Sequence, residues 1–152
     1  MNYDSTLDTL KHKQRISELF GIFCRELSER GIKHDNSKLQ SPEKEYFDEL
    51  TPQLAKSSYG SKEYNDFLIK LKPALEHHYQ NNSHHPEHYS NGVNDMDLFD
   101  IVEMFLDWKA SSERHEDGNI YRSIEINKDR FGLSEQLISI FKNTAERLWK
   151  KV

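Results

Sequence analysis

Cysteine is almost absent from this sequence. Cys24 is the only one in 152 residues, so no intramolecular disulfide can form and a CxxC zinc site is ruled out. Such cysteine usage fits a reducing, cytoplasmic compartment. The amino-terminal stretch MNYDSTLDTLKHKQ lacks the apolar segment of a secretory leader. No run approaches the roughly 18 apolar residues of a membrane span, which argues against a membrane partner. Basic residues are fewer than acidic ones, 21 against 26, for a net charge of −5 and a pI near 5.9. That balance removes any general attraction to nucleic-acid backbones. There is no internal repeat, no low-complexity tail and no apolar–polar alternation of period two.

What is present points to a packed helical protein. Charged residues make up 31% and the mean hydropathy is −0.90, yet aromatics reach 11%, more than a disordered chain carries. The length suits one domain spanning residues 1–152. Apolar residues recur at helical spacing from about Ser5 to Arg30, with Gly31 as the expected stop. A second helix opens at Ser41-Pro42-Glu43 and carries Tyr46, Phe47 and Leu50. A third, capped by Ser61 after a polar linker, carries Phe67, Leu71 and Leu75. The stretch from Asp97 to His115 is apolar almost all round, which predicts a buried helix. Two further helices follow, over 119–130 and after Ser134, the last with Leu137, Ile140, Phe141, Leu148 and Trp149 on its stripe. The expectation is an all-α bundle of five to six helices.

The chemistry lies in histidines and carboxylates. Five of the eight histidines fall between His77 and His88, in the string HHYQNNSHHPEH. Neutral imidazole is the commonest metal ligand near neutral pH. His78 extends the third helix's apolar stripe, three residues beyond Leu75, whereas His84, His85 and His88 belong to a polar loop. His12 falls on the first helix's stripe (12, 16, 19, 23, 27) and is expected to face the interior. His34 and Asp35 follow that helix's end. Glu103 and Asp107 sit one turn apart in the most apolar helix, where a buried carboxylate needs a cation, a donor or a metal.

The order His12, then His34-Asp35, then Asp107 resembles the H…HD…D signature of the HD-domain phosphohydrolase superfamily. The string HDNSK resembles the superfamily's HD-x-x-K form. Over most of its length the chain is also similar to a small branch of phage and bacterial proteins with HD-x-SK, HYxxNxHHPE and EMxxDW motifs. Here those motifs are His34 to Lys38, His78 to Glu87, and Glu103 to Trp108. The resemblance implies an HD-like helical fold whose primary metal is held by His12, His34, Asp35 and Asp107. In binuclear members it implies a second metal on His78 and one or both of His84 and His85, bridged by Asp35, with Lys38 on the substrate phosphate. Where some members place a glutamate three residues after the HD aspartate, this chain has Lys38, and Glu43 and Glu103 are the replacements considered for its role.

These readings give a function to test: hydrolysis of a nucleotide or other small phosphate ester by a metal-activated water, with Asp35, Lys38 and Glu103 as catalytic residues. Imidazole and carboxylate ligands in helices suit one or two divalent ions of Mn, Fe, Co, Ni or Zn. The partner is then a small phosphorylated substrate, and a homodimer is compatible with the sequence. The alternative is a phage-type inhibitor or sponge that binds metal or nucleotide on an HD-like core and hydrolyses nothing. Di-iron oxygen chemistry is a third reading.

Overall fold

The computed structural model describes residues 3–54, 62–114 and 118–149. The expected cap Ser61 and the linker from residue 55 lie outside them. All regular structure among the described residues is helical: six α-helices and three short 3-10 helices, with no strand. No helix among them is long and apolar enough to cross a membrane. The chain divides into two compact units, Met1–His34 and Asp35–Val152.

The first unit holds one continuous helix, α1 (Thr6–Lys33). Asp8 lies in its first turn and Arg30 and Lys33 in its last, charges that complement the helix dipole at each end. The helix passes through Gly31 instead of stopping there. The left-handed position falls at Asp35 (φ 57°), so Gly31 is not used as a terminator. This continuity has a metric consequence. His12 and His34 are twenty-two residues apart, which at about 1.5 Å per residue is roughly 33 Å.

In the second unit, α2 (Glu43–Leu54) and α3 (Lys62–Asn81) pair through Leu50, Leu71 and Ala74, flanked by Tyr46, Phe47, Phe67 and Leu75. Each buried leucine contributes about 1.5–3 kcal/mol. The buried face of α3 runs 71, 74, 78, so His78 occupies the next core position, 1% exposed.

A second core joins α4 (Leu98–Ser112), α5 (Ile120–Phe131) and α6 (Glu135–Trp149). It is built from Met104, Phe105, Ile124, Ile138, Phe141 and their neighbours. Phe105 stacks on Phe141, with centroids 4.7 Å apart and planes 6° apart. On α6 the buried residues are Ile138, Phe141 and Ala145, whereas Ile140 and Leu148 are exposed. The true stripe is thus rotated slightly from the expected one.

Caps explain the boundaries. Asp97 and Asp100 form a reciprocal capping box at the start of α4. Asn119 caps α5, which ends on left-handed Gly132 (φ 62°). Ser134 Oγ accepts from the Leu137 amide at α6. Between the two cores runs the histidine loop, residues 82–97, with 3-10 turns at Pro86–His88 and Gly92–Asp95.

Candidate metal centre

Four side chains from three places in the second unit converge on one point. Asp35 opens the unit in a left-handed conformation, which Asp tolerates better than most residues, and starts the 3-10 turn Asn36–Leu39. His78 comes from the end of α3. His84 and His85 come from the loop that follows. One ligand-type atom from each of these four lies within 4.8 Å of every other. Nε2 of His78 is 3.3 Å from Asp35 Oδ1 and 2.9 Å from Nε2 of His85. Nε2 of His84 is 3.6 Å from the same Asp35 oxygen. Ligands held at about 2.0–2.2 Å from one ion stand roughly 3.0–3.5 Å apart, so these spacings match the edges of a coordination polyhedron.

A surrounding layer of carboxylates fixes the rings. Nδ1 of His78 donates to Oε2 of Glu43 at 2.9 Å, and Glu43 is fully buried. The other oxygen of Glu43 takes His77 Nδ1 at 2.7 Å, and Ser37 Oγ donates to Oε2 at 3.0 Å. Burial pushes the Glu43 carboxyl up, but its contacts with His77, Ser37 and His78 outweigh that and hold it below the usual range. Nδ1 of His84 lies 3.2 Å from Oε1 of Glu103. With their Nδ1 protons directed at carboxylates, His78 and His84 present Nε2 lone pairs to the common point. His85 stays neutral. Burial first, then the neighbouring His84 and His78, push its pKa down to about 3. Three imidazoles and a carboxylate with ligand-type atoms this close together form a group that could hold a divalent cation.

The loop carrying His84 and His85 is tied down on both sides. Ser83 Oγ and Tyr89 Oη each donate to Asp100 at 2.6 Å, and Asp100 is 2% exposed. Burial and this carboxylate push the Tyr89 phenol up to about 12. Asn82 Nδ2 donates to Ser37 Oγ at 2.8 Å and to the His78 carbonyl at 2.8 Å. Glu87 pairs with Arg130 of α5 at 2.6 Å.

Beside this cluster is a cavity of about 350 Å³, whose lining includes His85, Asp107 and Arg130.

A family model described as "Family of unknown function (DUF5662)" matches residues 1–147. The chain belongs to this family. No curated protein and no solved structure matches the chain.

The family member described here departs from the expected ligand set. His12 cannot share an ion with His34, because the unbroken α1 holds them roughly 33 Å apart. His12 therefore drops out of the expected primary site of His12, His34, Asp35 and Asp107. His34 closes α1 as its C-cap. Asp35 instead joins His78, His84 and His85, the residues expected at a second metal. Its other oxygen, Oδ2, takes Lys38 Nζ at 2.6 Å, so Lys38 holds the Asp35 carboxylate in place. The same ammonium lies 5.5 Å over the Phe47 ring.

Glu103 orients His84. Asp107 lies within 4.8 Å of His84 and lines the cavity. His77 contacts Glu43, and His88 Nδ1 donates to the Tyr79 carbonyl at 2.8 Å. Glu43, expected only as a replacement for the HD-type glutamate, is instead the carboxylate partner of His77 and His78, and Asp100 carried no expectation from the sequence. For Glu43 a signal was present, since 43, 46, 47 and 50 form one helical face and the other three are apolar or aromatic.

Proposed function

We propose that this chain is a divalent-metal protein that hydrolyses a small phosphate ester, nucleotides included. The observation that carries the reading is the convergence of Asp35 Oδ1 with Nε2 of His78, His84 and His85. A single ion on these four fits best, because Lys38 engages the oxygen that would bridge to a second. Three imidazoles and one carboxylate suit Mn, Fe, Co, Ni or Zn. When bound, such an ion lowers the pKa of a coordinated water and polarises a phosphoryl oxygen.

The chain's own residues have separate tasks in this proposal. Glu43 and Glu103 hold His78 and His84 in the correct tautomer. Lys38 orients Asp35. Asp107, the carboxylate lining the cavity, takes the proton that the attacking water loses. An HD-like hydrolase that dispenses with the first-helix histidine is the form in which the family resemblance survives.

The test is metal analysis of untagged protein, then a phosphate-release screen over nucleotides and sugar phosphates, with Asp35→Asn as control. Asparagine tolerates the left-handed backbone, so the variant separates ligand loss from misfolding. Stoichiometric uptake of one transition metal, with turnover that disappears in the variant, supports the proposal. Failure to take up any transition metal overturns it. Uptake without turnover leaves the alternative, a metal- or nucleotide-binding protein.

A further inference from the structure

Two cations near the cluster are candidates for meeting an anionic substrate, and their surroundings differ. Lys38 Nζ is bound to Asp35 Oδ2 and sits over Phe47, and it is not part of the cavity wall. Arg130 is part of that wall. Glu87 fixes one of its nitrogens at 2.6 Å, and the guanidinium carbon lies 4.7 Å from the centre of the Phe131 ring. A guanidinium carries five donors in a rigid plane. One carboxylate contact therefore orients the group without exhausting it, and a planar fork matches phosphate oxygens two at a time.

The rest of the wall narrows the ligand class. Ser111, Ser123 and Asn127 line it, neutral groups that exchange hydrogen bonds with hydroxyls. Trp108 and Phe131 add an apolar flank, their rings nearly parallel at 7°. A volume of about 350 Å³ is at the small end for ligand pockets, which run roughly 300–1,000 Å³. With one cation, one carboxylate and several hydroxyl-matching groups, the cavity suits a single phosphate on a hydroxylated body and not a polyanion.

We infer that the cavity bounded by His85, Asp107 and Arg130 binds a small phosphorylated sugar, free or carrying a base, and that Arg130, not Lys38, receives its phosphate. This rests on the metal reading above only for where the reacting end lies. Asn127 and Ser123 then address the sugar hydroxyls, and the Trp108–Phe131 flank takes the apolar face.

Calorimetric titration of the full chain, manganese-loaded and chelator-treated, tests this with three probes: inorganic phosphate, ribose phosphate and adenosine monophosphate. Both sugar phosphates should bind more tightly than inorganic phosphate, and the tighter of the two identifies the source. Arg130→Gln should weaken them at least tenfold, with Arg130→Lys, which keeps a cation for Glu87, intermediate, the affinities being compared at matched manganese occupancy. Asn127→Leu should weaken the sugar phosphates while leaving inorganic phosphate alone. Wild-type affinity in Arg130→Gln, loss in Lys38→Met instead, or inorganic phosphate binding as tightly as the sugars would each overturn the inference. Arg130-dependent binding in protein that takes up no metal supports the pocket and defeats the metal reading. Metal uptake with an irrelevant Arg130 does the reverse.

Discussion

Oε2 of Glu43 lies 2.9 Å from Nδ1 of His78, and both side chains are almost completely buried. A carboxylate behind a ligating imidazole fixes its tautomer and raises its basicity. Glu43→Gln keeps the shape and removes the charge. It should lower metal affinity by about 10–100-fold, read by competition with a coloured chelator. Unchanged affinity would mean that Glu43 is a structural partner of His77 and nothing more.

Asp100 should be the costliest polar residue to remove. It accepts from Ser83, Tyr89 and the Asp97 amide, and its loss strands two hydroxyls. Asp100→Ala should destabilise by about 3 kcal/mol, and Tyr89→Phe by about 1–2 kcal/mol, in denaturant titrations. Because Ser83 and Tyr89 flank His84 and His85, Asp100→Ala should also weaken metal binding. A variant with wild-type metal affinity would show that the loop holds its shape without this anchor.

The pH dependence of the metal-free protein should carry the mark of His85. Unfolded, this histidine takes up its proton near 6.5; folded, it does so only near 3. Between those values the unfolded chain binds more protons. The stability it contributes is therefore complete above about 6.5 and is lost as pH falls toward 3, at up to about 1.4 kcal/mol per pH unit. Comparing chelator-treated wild type with His85→Gln between pH 7 and 5, where the carboxylates stay ionised, isolates the effect. Equal slopes for the two proteins would contradict it.

Lys38 should behave as a ligand-positioning residue. Lys38→Met keeps the stem against Phe47 and removes the charge from Asp35. Metal affinity should fall less than tenfold, since the pair is partly exposed, and sugar-phosphate affinity should stay unchanged when corrected for metal occupancy. A selective loss of phosphate binding would restore the role that the HD-x-x-K resemblance implies.

In the second core, Phe141→Ala removes one ring of the Phe105–Phe141 stack. It should cost about 3–5 kcal/mol, measured as a drop in the denaturation midpoint. A change under 1 kcal/mol would mean that Trp108 and Trp149, which pack around the stack, refill the space.

The helices were legible because their signals are local. Asn119, Gly132, Ser134 and Asp97 mark boundaries that lie within a residue or two of the expected ones. His78 was legible as an inward-facing side chain because it continues a helical stripe, and it is buried. The grouping of ligands was not, since spacing along the chain says nothing about which loop folds back on which helix. His12 illustrates the limit: its place on a helical stripe predicted an interior position, but His12 is exposed and α1 has no buried residue. The helix stop expected at Gly31 failed as well, because whether a glycine terminates a helix depends on which nearby residue takes the left-handed backbone. Asp35 took it here. Glu43 was readable in principle from its place on the Tyr46–Phe47–Leu50 face, but a glutamate in a first turn is so common that its burial carries no surface mark.

If Asp35 and the three histidines hold an ion as proposed, the order of assembly follows from where they originate. Asp35 and His78 are forty-three residues apart, and they meet only because α2 lies against α3 through Leu50, Leu71 and Ala74. An ion has no complete set of ligands to bind until that hairpin has closed. Metal would therefore leave the speed of collapse nearly untouched and act chiefly on the rate of escape, as a latch fastened after the door has shut.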